Sequence, residues 1–287
     1  MEIRNTENTP ENIKKSKRGK NKTPKPRKVK VKKSKPNFVS TADLENLENI
    51  ENIGNFTEAA ITAEYVKKTL KFKESNVLQI NAKYPNFSLK SNSSKSNKKV
   101  EKNINAFYNS AVNKFIIYCE KSLYKSAAEE FLLCQNTQEN QEYKEFKSFG
   151  AVITFECVYN KQGFSCVYLD INIYSGKGRG NIIRKAHIWN LSNGELYSPG
   201  KFINFTPAVK KKICEYICKT MESQIERNEE RYIHTDIQTV YKYLSIDNLY
   251  LTDKEKGCVF FFPQGTVASS DSGIISFVMP EKIINEL

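Results

Sequence analysis

Apolar positions along this chain recur at two spacings, and the switches between them predict its elements. Between Val66 and Phe87, VKKTLKFKESNVLQINAKYPNF interleaves apolar and polar residues and predicts two strands around Glu74-Ser75-Asn76. Tyr84-Pro85 is expected to end the second, because the residue before a proline is restricted and proline itself has no N–H. From about Lys98 to Cys134 the period lengthens. Ile104, Phe107, Tyr108, Ala111, Phe115, Tyr118 and Cys119 fall three and four apart and predict one long helix with a buried face. Imperfect alternation returns over Ala151–Tyr159, and Lys161-Gln162-Gly163 reads as a turn. Phe164–Tyr174 comes back with Val167, Leu169, Ile171 and Ile173 on one side. A third strand is expected over Asn181–Leu191, a turn at Asn193-Gly194, and a resumed strand at Leu196-Tyr197. Thr206-Pro207 marks a helix start, with Val209, Ile213, Ile217 and Met221 along a face that runs to about Asn228. A shorter helix, Asp236 to Leu244, precedes strands at Asn248–Thr252, Cys258–Phe262 and Gly273–Val278. Strands then helix, twice over, predict an α+β fold: an antiparallel sheet with two longer helices packed against it.

The first part of the chain has no such periodicity. Residues 1–36 hold 14 Lys/Arg against 3 Asp/Glu, a balance of +11 out of +13 for the whole chain. The other 251 residues therefore carry only +2. Residues 1–40 are read as a disordered basic tail, because few apolar side chains are there to offset the entropy of ordering it. Lys14, Lys15, Lys17, Arg18, Arg27, Lys28, Lys30, Lys32 and Lys33 are its candidate contacts to nucleic acid or an anionic surface. No aromatic side chain interleaves the cations of Lys14–Pro36, so base stacking is not indicated. Residues 41–64 are read as a linker. Its repeat LENLENIENIGNF spaces Leu44, Leu47, Ile50 and Ile53 three apart, as in a short amphipathic helix. Residues 65–287 are the expected folded domain.

Compartment and chemistry follow from what the residues offer. Seven cysteines are scattered, odd in number and never arranged as CxxC, which fits reduced thiols and a cytoplasmic location. The polar N-terminus lacks the apolar core of a secretory signal, and no run of eighteen apolar residues occurs. Cys214 and Cys218 lie one helical turn apart, but His187 and His234, the two histidines, do not add an adjacent ligand pair, so no metal or cofactor is expected. There is no G-x-S-x-G elbow, no HExxH and no defined carboxylate pair, and enzymatic activity is not expected. Asp170 is read as solvated and His187 as structural.

One motif stands out. IYSGKGRGN, residues 173–181, places three glycines at alternate positions with Lys177 and Arg179 between them. It fits neither the P-loop nor the dinucleotide fingerprint, and the strand-like sequence after it makes it a connection between two strands.

Several stretches together resemble the sensory domain of RsiV-type anti-sigma factors, a domain also found on some peptidoglycan deacetylases. They are Tyr84-Pro85 before the long helix, LDINIYSGKGRGNIIRKAHIWNLSNGEL, and DNLYLTDKEKGCVFFFP followed by GIISFVMP. The second resembles the family's iYtGGAHGn…fDLkTGk, and the third its nFYLTd.GlvfyF and GipeFkIP. The resemblance spans about residues 66 to 280. Gly176, Gly180 and Gly194 match, Arg179 stands at a family histidine, and Asn190 at an aspartate. The largest departure is GTVASSDSG, residues 265–273, where the family has YEIAPYAAG; Gly265 and Ser270 occupy the positions of its two tyrosines.

The resemblance implies a non-enzymatic binding or sensory module, here without the family's membrane span and anti-sigma segment. Lysozyme enters as a partner only by analogy with RsiV; the expected partner is a protein or a cell-wall-related ligand. Candidate ligand-binding residues are Lys177, Arg179, Ser270 and Asp271. The alternative is a nucleic-acid- or anionic-surface-associated protein that acts through its basic tail.

Overall fold

A computed structural model describes residues 58–89, 95–136, 145–227, 232–253 and 257–285. The basic tail, with all nine of its candidate cations, and the LEN repeat lie outside the described residues. The chain is α+β, and its longer helices pack against sheet as expected.

A six-stranded sheet runs in chain order: β1 (Ala59–Phe72), β2 (Ser75–Leu89), β3 (Phe149–Lys161), β4 (Phe164–Tyr174), β5 (Asn181–Asn190) and β6 (Glu195–Leu196). The β3–β4–β5–β6 meander is antiparallel, as its short turns require. The β2–β3 pair is parallel, over Leu78↔Phe149 to Ala82↔Ile153. Its cause lies in the helical crossover between the two strands, which carries the chain back to the end of the sheet where β2 began. The last three strands do not extend this sheet. β7 (Leu249–Thr252), β8 (Gly257–Phe262) and β9 (Ile275–Pro280) form a second, antiparallel one.

Two boundaries differ most from the sequence reading. Ala59–Glu64, read as the end of the linker, are the first part of β1, paired with Tyr84–Leu89. Tyr84-Pro85 does not end β2: Pro85 pairs with Ala63 and the strand continues to Leu89. The reason is visible two residues on. The Phe87 N–H donates to Asn105 Oδ1 (2.7 Å) and the Leu89 N–H to Glu101 Oε1 (2.6 Å), both on the crossover helix. Successive odd residues turn the same way, so the donor that Pro85 lacks would have faced away from β1 and costs that ladder nothing.

The crossover is α1 (Lys95–Tyr118) and α2 (Tyr124–Asn136), joined through a single wide turn, Cys119–Leu123. Its buried line is Val100, Ile104, Tyr108, Val112, Ile116 and Cys119, then Leu123, Ala127 and Phe131. Spacing of four drifts around a 3.6-residue helix, and the wide turn lets the same line stay on the sheet. Phe107 and Phe115, expected at its centre, flank it, and Tyr118 is exposed. α3 (Pro207–Glu226) starts where Thr206 accepts the Val209 N–H (3.2 Å), and α4 (Ile237–Tyr243) where Asp236 accepts the Thr239 N–H (2.8 Å). A short α5 (Glu281–Asn285) follows β9. The described residues form two cores: one between α1–α2 and the first sheet, the other gathering α3, the second sheet and residues such as Cys166 and Ile188 of the first.

Candidate functional site

The glycine stretch closes the β4–β5 hairpin, whose last pair is Ile173↔Asn181. Gly176, Gly178 and Gly180 all have positive φ (79°, 63° and 87°). Gly180 is also wedged: a Cβ there would stand 2.7 Å from Asn172 Oδ1 and 2.8 Å from the Ile173 carbonyl oxygen. Gly178, by contrast, has open space around it. The segment is thus the strand connection that its neighbours predicted.

This hairpin end is tied to the loop after β8, which holds the departure GTVASSDSG. Gln264 makes the tie. Its Nε2 donates to the carbonyls of Gly180 (3.1 Å) and Ser270 (2.7 Å), while its Oε1 accepts the Ile182 N–H (2.6 Å). Arg179 Nη1 adds a bond to the Asp271 carbonyl. The second loop is braced internally by Ser272 N–H to the Ser269 carbonyl (3.0 Å) and by the Ser269 and Ser272 hydroxyls, 3.1 Å apart. Arg179, Ser270 and Asp271, picked from two distant stretches, therefore meet at one rim. Lys177 turns the other way, to Glu130 of α2 at 3.4 Å. Gln264 was not among the sequence candidates. One glutamine between Pro263 and Gly265 carries no motif, and its two neighbours mark only a turn.

Asp170, read as solvated, is only partly exposed and is ion-paired. Both carboxylate oxygens accept from Arg184, each at 2.7 Å, and the guanidinium lies 3.9 Å from the centre of the Tyr168 ring. Burial works against the Arg184 charge, but the hydrogen bonds and charge of Asp170 outweigh it and raise the pKa. Tyr250 and Phe261 of the second sheet complete the aromatic surround. This cluster joins the two sheets.

His187 lies among Phe107, Tyr108 and Trp189, its ring 5.0 Å from Phe107 and 5.6 Å from Tyr108. Trp189 Nε1 donates to the Tyr108 hydroxyl at 2.8 Å, while the buried His187 Nδ1 has no partner. Burial, with Lys185 adding to it, lowers the His187 pKa to about 4. Cys166, Cys214 and Cys258 are pushed up to about 12 by burial, so they are held as thiols. Among the described residues no group of three or more His, Cys, Asp or Glu side chains is placed to hold a metal ion. Among them, too, no helix is long and apolar enough to cross a membrane.

No protein-family model matches the sequence, and no curated protein does. Solved structures do. A member of the DUF3298 family from Bacteroides fragilis is 13% identical, with a TM-score of 0.60 over 81% of this chain and 94% of that one. A DUF3298 family protein from Pseudomonas aeruginosa is 10% identical, with a TM-score of 0.47 over 80% of this chain and 93% of that one. At 13% identity the likeness to the Bacteroides protein is one of fold: this chain folds as that DUF3298 protein does.

Proposed function

We propose that the described domain is a non-enzymatic binding module of the RsiV-like kind, and that it recognises a protein or a cell-wall-related ligand at the rim made by the two loops. The observation that carries this reading is the Gln264 bridge. Three hydrogen bonds from one side chain hold a cationic hairpin end against a serine-rich loop, and a surface ordered before contact loses less entropy on binding. The non-enzymatic part is supported by where the reactive groups went: Asp170 onto Arg184, His187 into an aromatic box, and the thiols into the cores. Free thiols at all seven cysteines support a cytoplasmic setting.

The test is surface-based binding of the full chain to two probes, lysozyme and soluble peptidoglycan fragments. Saturable binding of either, lost in a folded Gln264→Ala variant, is the expected outcome. Release of acetate or shortened glycan from the fragments would overturn the non-enzymatic reading, and binding indifferent to Gln264 would overturn the rim.

A second reading rests on the charge partition. The +11 of residues 1–36 favours phosphate contacts to nucleic acid or an anionic surface. It requires retention on DNA, RNA or anionic vesicles to fall steeply with salt and to vanish when residues 1–36 are deleted.

A further inference from the structure

The outer edge of β1 is a sheet margin that the rest of the described chain leaves open. Both backbone groups of Phe87 are taken by Asn105 of α1, through the N–H at 2.7 Å and the carbonyl at 2.9 Å. The facing pair Ile61↔Phe87 therefore exchanges no ladder bonds, and Ile61 points its N–H and C=O away from β2. By alternation so do Ala63, Tyr65, Lys67 and Thr69. The strand is anchored at both ends. Asn160 holds the N–H and carbonyl of Ala59 (3.2 and 2.8 Å), and the Tyr124 hydroxyl donates to the Lys71 carbonyl (3.0 Å). Between these anchors no described strand pairs with the outer edge, and Tyr65 at its middle is 62% exposed.

We propose that this edge pairs with the same edge of a second copy of the chain, antiparallel about a twofold axis at Val66, so that the two six-stranded sheets become one. Charge selects the register. With Val66 facing Val66, Glu64 faces Lys68 of the other copy twice, and Tyr65 faces Lys67 twice. A shift of two residues in one direction sets Lys67 against Lys67, and a shift of four in the other sets Glu64 against Glu64. The lysines of β1 thus disfavour arbitrary strand addition, as edge lysines do, while this register sets Lys68 against Glu64 and keeps Lys67 away from another cation, against Tyr65. The outward-pointing residues also match, since Tyr65 meets Lys67 and Ala63 meets Thr69, each pair able to exchange two backbone bonds. Lys68 gives up little to do so: its present ion pair with Glu120, at 2.6 Å, lies at a partly exposed surface, where such pairs contribute little.

The test is the mass of the full chain in solution by light scattering over a concentration series, with hydrogen exchange of the β1 amides at each end of it. A dimer is expected, with protection of Ala63, Tyr65, Lys67 and Thr69 that fades on dilution. Glu64→Lys replaces two attractions by two repulsions and should weaken the dimer about tenfold, and Glu64→Lys with Lys68→Glu should return it to within about threefold. A monomer at every concentration overturns the proposal. So does a dimer that ignores Glu64→Lys, or one whose β1 amides exchange at the same rate at both ends of the series.

Discussion

Acid should weaken this fold through one side chain. His187 is held neutral: its pKa falls from 6.5 to about 4 because burial among Phe107, Tyr108 and Trp189 penalises the imidazolium, and Lys185 adds to the penalty. In the unfolded chain the same imidazole takes up a proton near its ordinary value. Its contribution is therefore fully present above about pH 6.5 and is lost as the pH falls from there toward 4. At about 1.4 kcal/mol per unit the whole loss is about 3 kcal/mol, of which about 2 kcal/mol falls between neutral pH and pH 5. Carboxylates titrate over part of the same range, so the measurement is a difference. Urea unfolding of the native chain and of His187→Leu is followed by tryptophan fluorescence near pH 7.5 and near pH 5, the single Trp189 being itself in the box. The native chain should lose about 2 kcal/mol more than the variant on acidification. Parallel losses would mean that the imidazole is charged or solvated in the folded state and would refute the reasoning. An upward shift of the native chain relative to the variant at low pH would reverse its sign.

Three further outcomes are expected. Gly180→Ala combines a positive φ with contacts of 2.7 and 2.8 Å and should lower the thermal midpoint severely, whereas Gly178→Ala, with open space around it, should cost only about 1–2 kcal/mol. Asp170→Ala leaves a mostly buried guanidinium unpaired between the sheets and should cost about 3 kcal/mol by denaturant unfolding, with little relief in the double variant Asp170→Ala/Arg184→Lys and more in Asp170→Ala/Arg184→Met. In the native state at neutral pH, Cys166, Cys214 and Cys258 should react with a disulfide reagent far more slowly than after unfolding, because burial holds all three as thiols.

What the chain encodes locally was legible. The Phe164–Tyr174 strand, the turn at Gln162-Gly163, the Thr206 cap with Pro207 behind it, and the Asp236 cap all depend on forces acting within a few residues. So does the role of the glycine stretch, since three positive φ values in a hairpin connection are what alternate glycines permit. Pairing was not local. That β2 lies parallel to β3, that β7–β9 form their own sheet, and that β2 passes through Pro85 depend on which edges the α1–α2 crossover brings together. The candidate rim divides the same way. Its residue types could be picked from sequence, as Arg179, Ser270 and Asp271 were, but Gln264 acquires its part only because Gly180 and Ser270 come within reach of one amide. Asp170 shows the general reason. Strand alternation places it on the face away from the apolar stripe and opposite Arg184 in the β4–β5 hairpin, yet whether that face meets water or a second sheet is settled by packing of Arg184 against Tyr250 and Phe261, far along the chain and beyond the range of any local pattern.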